Sequence, residues 1–300
     1  MTGPGPLLID SLSLVPQAAV TALLFGMIFA LVAAGLALIW GVADIVNFAH
    51  GEYMLIAMYL TLTVSNTYGV DPLLLLPVNA AVLFVAGYAT YRLVISKVIE
   101  APMLAQIFAT FALLLIIRYG ILYIAGPYTV TVENFVFEGH ARVAGLTVPY
   151  PELVTAVVSV FALAGLFAFL KTTRTGKAIR ATAQDREVAT VMGIDTDRTY
   201  AITWGLGIAA VGVAGTLVAT FQPVQPELTP TTWTLIAFAA VALGGFGSVL
   251  GAVAGGVVIA FVEHVGAVLL DPSYKELYVF VVFIGALLFK PEGILNRRDS

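Results

Sequence analysis

The chain has 300 residues, of which 60% are apolar and only 11% charged, with a net charge of −4 and no cysteine. A soluble domain carries roughly a quarter charged residues, so a mean hydropathy of +0.99 excludes a water-facing globule and points to an integral membrane protein. The acidic balance argues against nucleic acid as a partner, and the missing cysteines exclude disulfides, thiolate metal sites and a cysteine nucleophile.

The opening segment, MTGPGPLLIDSLSLVP, has no basic n-region and no small-residue cleavage site, so the first apolar run is expected to stay as a span. About 20 apolar residues cross a bilayer as a helix. Windows of that kind fall at 16–40, 53–70, 72–91, 103–125, 152–170 and 199–222. A longer one, 228–262, is broken by GGFGS at 244–248 and reads as two helices, 232–246 and 250–270, before a short last window at 277–289. Strand-period alternation is absent from these windows, which argues against a β-barrel. The expectation is an all-α polytopic membrane protein, a single membrane domain over 1–300 with eight or nine transmembrane helices.

Lys and Arg concentrate in cytoplasmic loops. Segment 171–198 holds Lys171, Arg174, Lys177, Arg180, Arg186 and Arg198, and Lys290, Arg297 and Arg298 follow the last window. Both segments are therefore expected inside and the N-terminus outside, which an odd count of nine satisfies. Loop 126–151 has a single Arg, and its alternating YTVTVENFVFEG predicts a small extracytoplasmic hairpin. Gly247, Gly251 and Gly255 recur at every fourth position, which predicts a side-chain-free helix face for close packing.

Within the basic segment, Thr182 and Asp185 have capping-box spacing, and Gly193 offers a helix stop. Between them Val188, Val191 and Met192 form an apolar stripe on a short helix, opposite Asp185, Arg186 and Glu187. An interfacial helix usually carries Lys and Arg over Trp or Phe. Mixed charge and no nearby aromatic favour docking to a protein partner instead. The nearest approach to a phosphate loop, RTGKAI, lacks its first glycine and has Ala178 where Ser or Thr would hold magnesium. If transport here is driven by ATP, the ATPase is a separate chain.

The stretch GVADIVNFAHGEYM places Asp44, Asn47, His50 and Glu52 between two apolar windows. It reads as a broken or re-entrant helix near 44–52, with Gly51 relaxing the backbone and Glu52 favouring the first turn that follows. Polar groups at membrane depth are costly and usually face a bundle interior or a water-filled path. A loop in water would carry the same residues at no cost, and spacing alone leaves both readings open. No second His or carboxylate stands at metal-ligand spacing, and nothing calls for a cofactor.

VADIVNFAHGEYMLIAMYL resembles the signature of branched-chain amino acid ABC transporter permeases of the LivH type. So do RATAQDREVATVMGIDTDRTYAITWGLG, GGFGSVLGAVAGGVVIAFVE and the closing KPEGI at 290–294, in family order over about 16–295. The resemblance implies a second permease chain, two cytoplasmic ATP-binding subunits and an extracytoplasmic solute-binding protein as partners. It assigns ATPase contact to 180–193, foremost Arg180, Thr182, Gln184, Asp185, Arg186, Glu187, Met192 and Gly193. Asn47, His50, Gly51 and Glu52 would line the path or hold a broken helix. Val249 and Leu250 depart from the usual Ile and Pro of the glycine block. Permeases for urea and short amides share the pattern, so the cargo stays open between these classes. An ion-coupled secondary transporter would need intramembrane titratable groups, for which Arg118 and Glu263–His264 are candidates. An intramembrane hydrolase would need a base beside Ser159, and no motif supplies one.

Overall fold

A computed structural model describes residues 5–290 and Gly293, with side chains from residue 12 onward. Residues 1–4, 291–292 and 294–300 lie outside the described residues, among them Arg297, Arg298 and most of the KPEGI block.

Eleven α-helices follow in chain order: α1 (Gly5–Ala43), α2 (His50–Tyr68), α3 (Pro72–Leu93), α4 (Met103–Ala125), α5 (Tyr150–Thr172), α6 (Arg174–Gln184), α7 (Arg186–Val191), α8 (Thr196–Val218), α9 (Thr229–Gly244), α10 (Val249–Leu269) and α11 (Lys275–Phe289). Two short strands, β1 (His140–Val143) and β2 (Leu146–Pro149), pair antiparallel between α4 and α5. Among the described residues seven helical segments are long and apolar enough to cross a membrane: α1, α3, α4, α5, α8, α10, and α11 together with the short helical turn before it, Pro272–Phe289. The chain is thus a multi-pass, all-α membrane protein. The expected eight or nine spans are not reached by that measure. α9 has only 16 residues, and α2, with 19, opens on His50 and Glu52.

The interior is built around α1. From Ile28 to Ile39 its side chains are almost completely buried. Its 39 residues make a rod of about 58 Å, against a hydrocarbon core of about 30 Å. Small residues let neighbouring backbones approach it. Gly256 of α10 meets the backbone at Ala30, and Gly26 of α1 meets Val257. α1 packs most extensively on α10, and α3 on α8. Further contacts run from α2 to α8 and α4, and from α9 to α1 and α11.

The glycine series is only partly a helix face. Gly251 and Gly255 lie on α10 against the backbones of Gly244 and Ala240 on α9. Gly247, in contrast, precedes the helix, whose N-cap is Ser248, and adopts φ +83° facing Gly41. A turn that reverses the chain within a few residues needs a left-handed position there, which glycine supplies.

The hairpin at 126–151 is also displaced from its expected place. YTVTVENFVFEG runs extended without a partner strand, apart from a bridge between Val130 and Val224. Side chains satisfy its backbone instead. Asn66 bonds Thr131 O and Glu133 N, and Asp71 accepts from Val136 N. The strands form downstream because Ala144 and Gly145, both at positive φ, make the two-residue turn that a tight hairpin requires.

Candidate functional site

At the end of α1 the chain turns on Asp44, whose φ is +53° and whose N–H still bonds Trp40 O at 2.8 Å. Residues 45–49 then lead back into the bundle. Asn47 is fully buried, and its side-chain oxygen accepts from Ala49 N at 3.2 Å, pinning the turn that starts α2. His50, also fully buried, places Nε2 3.0 Å from the carbonyl of Val32. Val32 lies about 16 Å along α1 from its end at Ala43. The break expected at 44–52 is therefore confined to 44–49, while His50, Gly51 and Glu52 form the first turn of a helix that begins deep inside the bundle.

That first turn meets the first turn of α9. The Gly51 N–H donates to Thr234 Oγ1 at 2.9 Å, and a side chain on Gly51 would overlap the carbonyl of Pro230. Two helix N-termini, each carrying a partial positive charge, thus stand against one another. Glu52 supplies the opposite charge. One of its carboxylate oxygens accepts two hydrogen bonds from Arg118 of α4, one from Nε at 3.0 Å and a shorter one from Nη2. The same Nη2 donates to Thr231 Oγ1 at 3.0 Å, so one guanidinium ties α4, α2 and α9 together. The other Glu52 oxygen, Asn47 Nδ2 and His50 Nδ1 are buried and make no hydrogen bond among the described residues.

Of these residues, Thr231 and Thr234 escape a reading by charge and motif. Their signal is the threonine-rich run TPTTWT at 229–234, opening an otherwise apolar short window. Asn79 escapes as well. It is buried on α3 and donates to Thr61 Oγ1 at 2.9 Å and Thr216 Oγ1 at 2.8 Å, joining α2, α3 and α8. Among the described residues no group of three His, Asp or Glu side chains is placed to hold a metal ion. The buried Ser159 hydroxyl makes no hydrogen bond within the chain.

A second constellation occupies the end of the bundle where α1 terminates. The single helix expected from 182 onward is two helices, α6 and α7, divided at Asp185. The N-cap of α7 is Asp185 itself, accepting from Val188 N at 2.9 Å, whereas Thr182 is buried inside α6 with its hydroxyl unpartnered. Asp185 wins because its extended backbone, φ −157°, ends α6 and frees its side chain to reach forward. Gly193, at φ +82°, closes α7. Its N–H bonds Thr190 O and that of Ile194 bonds Ala189 O, both at 3.0 Å, the paired closure of a Schellman motif.

Arg186 donates to Glu100 at 2.9 Å and lies 5.5 Å over the ring of Tyr200, fixing α7 to the loop before α4 and to α8. Arg180 reaches the Lys171 carbonyl at 3.5 Å, and Gln184 and Glu187 are exposed. Val188, Val191 and Met192 all point outward, with Val191 87% exposed, while Ala189 is buried against the bundle.

Residues 18–289 match the family described as the permease component of the branched-chain amino acid transport system. The chain is 30% identical to the high-affinity branched-chain amino acid transport system permease protein BraD of Pseudomonas aeruginosa, covering 94% of this chain and 96% of that one. It is 29% identical to the LivH permease protein of Escherichia coli K12, over 91% and 93% of the two chains. It is 30% identical to a probable LivH permease of Methanocaldococcus jannaschii, over 91% and 90%. No solved structure matches it. Matched over residues 18–289 and to relatives over more than nine-tenths of its length, this chain belongs to the branched-chain amino acid transport system permease family.

Proposed function

We propose that the chain is the transmembrane permease subunit of an ATP-binding-cassette importer for branched-chain amino acids. The family match over 18–289 carries this reading. The end bearing α6 and α7 is cytoplasmic, in keeping with its Lys and Arg content, and the β1–β2 end is extracytoplasmic. The subunit has no ATPase motif of its own. Two cytoplasmic ATP-binding subunits supply the energy, a second permease chain completes the pathway, and a solute-binding protein delivers cargo from outside.

The exposed Val188, Val191 and Met192 make an apolar surface on a short helix held at both ends and along one face. A rigid projection of that kind suits the receipt of force from an ATP-binding subunit, since a fraying helix transmits none. In this reading Arg180, Thr182, Gln184, Asp185, Arg186, Glu187, Met192 and Gly193 form or support the docking surface. The junction of α2 and α9 is the point at which the pathway opens and closes.

Broken helices at membrane depth also occur in secondary transporters, so the fold alone does not choose the energy source. Uptake of radiolabelled leucine in a strain expressing the full system decides it. Depleting ATP with the proton gradient held constant abolishes uptake if an ATPase drives it. Persistent uptake under that condition would refute the proposal in favour of an ion-coupled carrier. Competition by urea and short amides against leucine tests the cargo.

A further inference from the structure

A cavity of about 300 Å³ lies toward the β1–β2 end, bounded by α1, α5, α9, α10, α11 and the loop 221–223. That volume sits at the small end of the roughly 300–1,000 Å³ typical of ligand pockets. Its wall is divided by chemistry. One part is aromatic: Phe29 packs edge-on against Trp233 at 5.4 Å, and Phe25 against Phe221 at 5.6 Å. The other part is ionic, with Glu152, Glu263 and Lys275 lining the same space.

The ionic part is incompletely satisfied. Lys275 Nζ lies 3.2 Å from one oxygen of Glu263, and the other oxygen of Glu263 has no hydrogen bond among the described residues. One oxygen of Glu152 and the indole N–H of Trp233 are buried and unpartnered in the same way. Glu263 is 7% exposed and Trp233 2%. A buried polar atom without a partner is costly, and few are tolerated in a native structure. Three such atoms belong to residues that line this one cavity, which marks a place where a small rearrangement lets them meet a complementary molecule.

The inventory specifies that molecule. Two carboxylates call for a cationic donor, while one ammonium and one indole N–H call for an anionic acceptor. Thr232 closes the first turn of α9, whose partial positive charge favours an anion, and Trp233 follows it. The aromatic wall takes a short apolar group. We infer that this cavity binds the zwitterion of an apolar α-amino acid. Its ammonium lies toward Glu263 and Glu152, its carboxylate toward Lys275 and Trp233 Nε1, and its side chain against Phe25 and Phe29. The inference rests on the transport reading above and deepens it: the permease itself holds the cargo at the outer end, ahead of the α2–α9 junction. A carboxylic acid without an amine brings a third anion beside two glutamates. An amine without a carboxylate leaves Lys275 and the indole unanswered.

The test uses the full chain in lipid nanodiscs, with L-leucine as probe and two readouts: binding of tritiated leucine and quenching of tryptophan fluorescence. Saturable binding is expected, with a fluorescence change that disappears in Trp233→Phe. Glu263→Gln and Lys275→Met should each weaken binding at least about tenfold, the loss that follows an unmade charge-assisted hydrogen bond. Lys275 is half exposed, so its replacement spares the fold, and Glu152→Gln serves as a second carboxylate variant should Glu263→Gln misfold. 4-Methylpentanoate and isoamylamine should bind at least about tenfold more weakly than leucine. Saturable binding unchanged in these variants overturns the inference, as does isoamylamine binding as tightly as leucine. Leucine uptake by the assembled system is measured in parallel. Uptake that depends on this chain, with no binding to it, overturns the cavity alone. Uptake that is independent of this chain overturns the transport reading and the cavity's ligand together.

Discussion

Gly35 and Gly207 face each other at the crossing of α1 and α8, so closely that a Cβ on Gly35 would lie 2.5 Å from the Gly207 carbonyl oxygen and one on Gly207 2.6 Å from that of Gly35. The crossing is reciprocal, each glycine lying against the other's carbonyl. Neither backbone can retreat without moving the most buried helix of the molecule. Replacing either glycine by leucine should therefore destabilise the protein by about 1–3 kcal/mol or more, read as a lowered melting temperature in detergent. Gly165→Leu is the control, because a side chain there meets open space. Equal melting temperatures for all three variants would count against the crossing.

The ion pair of Glu52 and Arg118 gives a non-additive prediction. Removing one partner of a buried pair costs about 3–5 kcal/mol, because the other charge is left uncompensated, whereas removing both costs much less. Arg118→Leu alone should thus be more damaging than Arg118→Leu combined with Glu52→Gln. A double-mutant cycle on thermal stability reads the coupling directly, and simple additivity of the two single losses would disprove it.

His50 and His140 separate an interior role from an exposed one. His50 is fully buried against the Val32 carbonyl, while His140 is exposed on β1. His50→Ala should lower leucine uptake or the yield of folded protein severalfold, and His140→Ala should leave both near wild type. Indistinguishable variants would reduce the junction to an ordinary turn.

The docking surface is tested best where no internal contact is disturbed. Arg186 bonds Glu100 within the chain, so reversing its charge perturbs the fold as well as any interface. Val191 and Glu187 have no such tie. Val191→Asp, alone or with Glu187→Arg, should abolish co-purification with the ATP-binding subunits and leucine uptake, while membrane insertion and melting temperature are retained. Full uptake by these variants would reject α7 as the site of contact.

Much of this was legible along the chain, and for a physical reason. Spans are set by local composition, so α3, α4, α5 and α8 fall close to their apolar windows. The junction announced itself through polar residues too costly to leave in lipid, and its break ends only a few residues before the expected boundary. Gly247 could not be told from Gly251 by spacing, because a left-handed turn and a close-packed face both call for glycine. Extended YTVTVENFVFEG alternates as a strand does, yet pairing depends on a partner, and the turn at Ala144–Gly145 sits downstream. Glu52 with Arg118, and Glu263 with Lys275 and Glu152, join residues from different helices. No periodicity in sequence encodes such meetings.

The depth at which α2 begins has a consequence for how the protein is made. Its first turn, which follows Asn47, is sheltered by α1, by Arg118 of α4 and by Thr234 of α9, which leaves the ribosome long after α2 does. During synthesis α2 therefore has no settled place in the bilayer, and it waits, partly unprotected, until α8 and α9 arrive to close over it. The two halves of the chain mature together, and a truncated product ending before α8 is a natural target for membrane proteases.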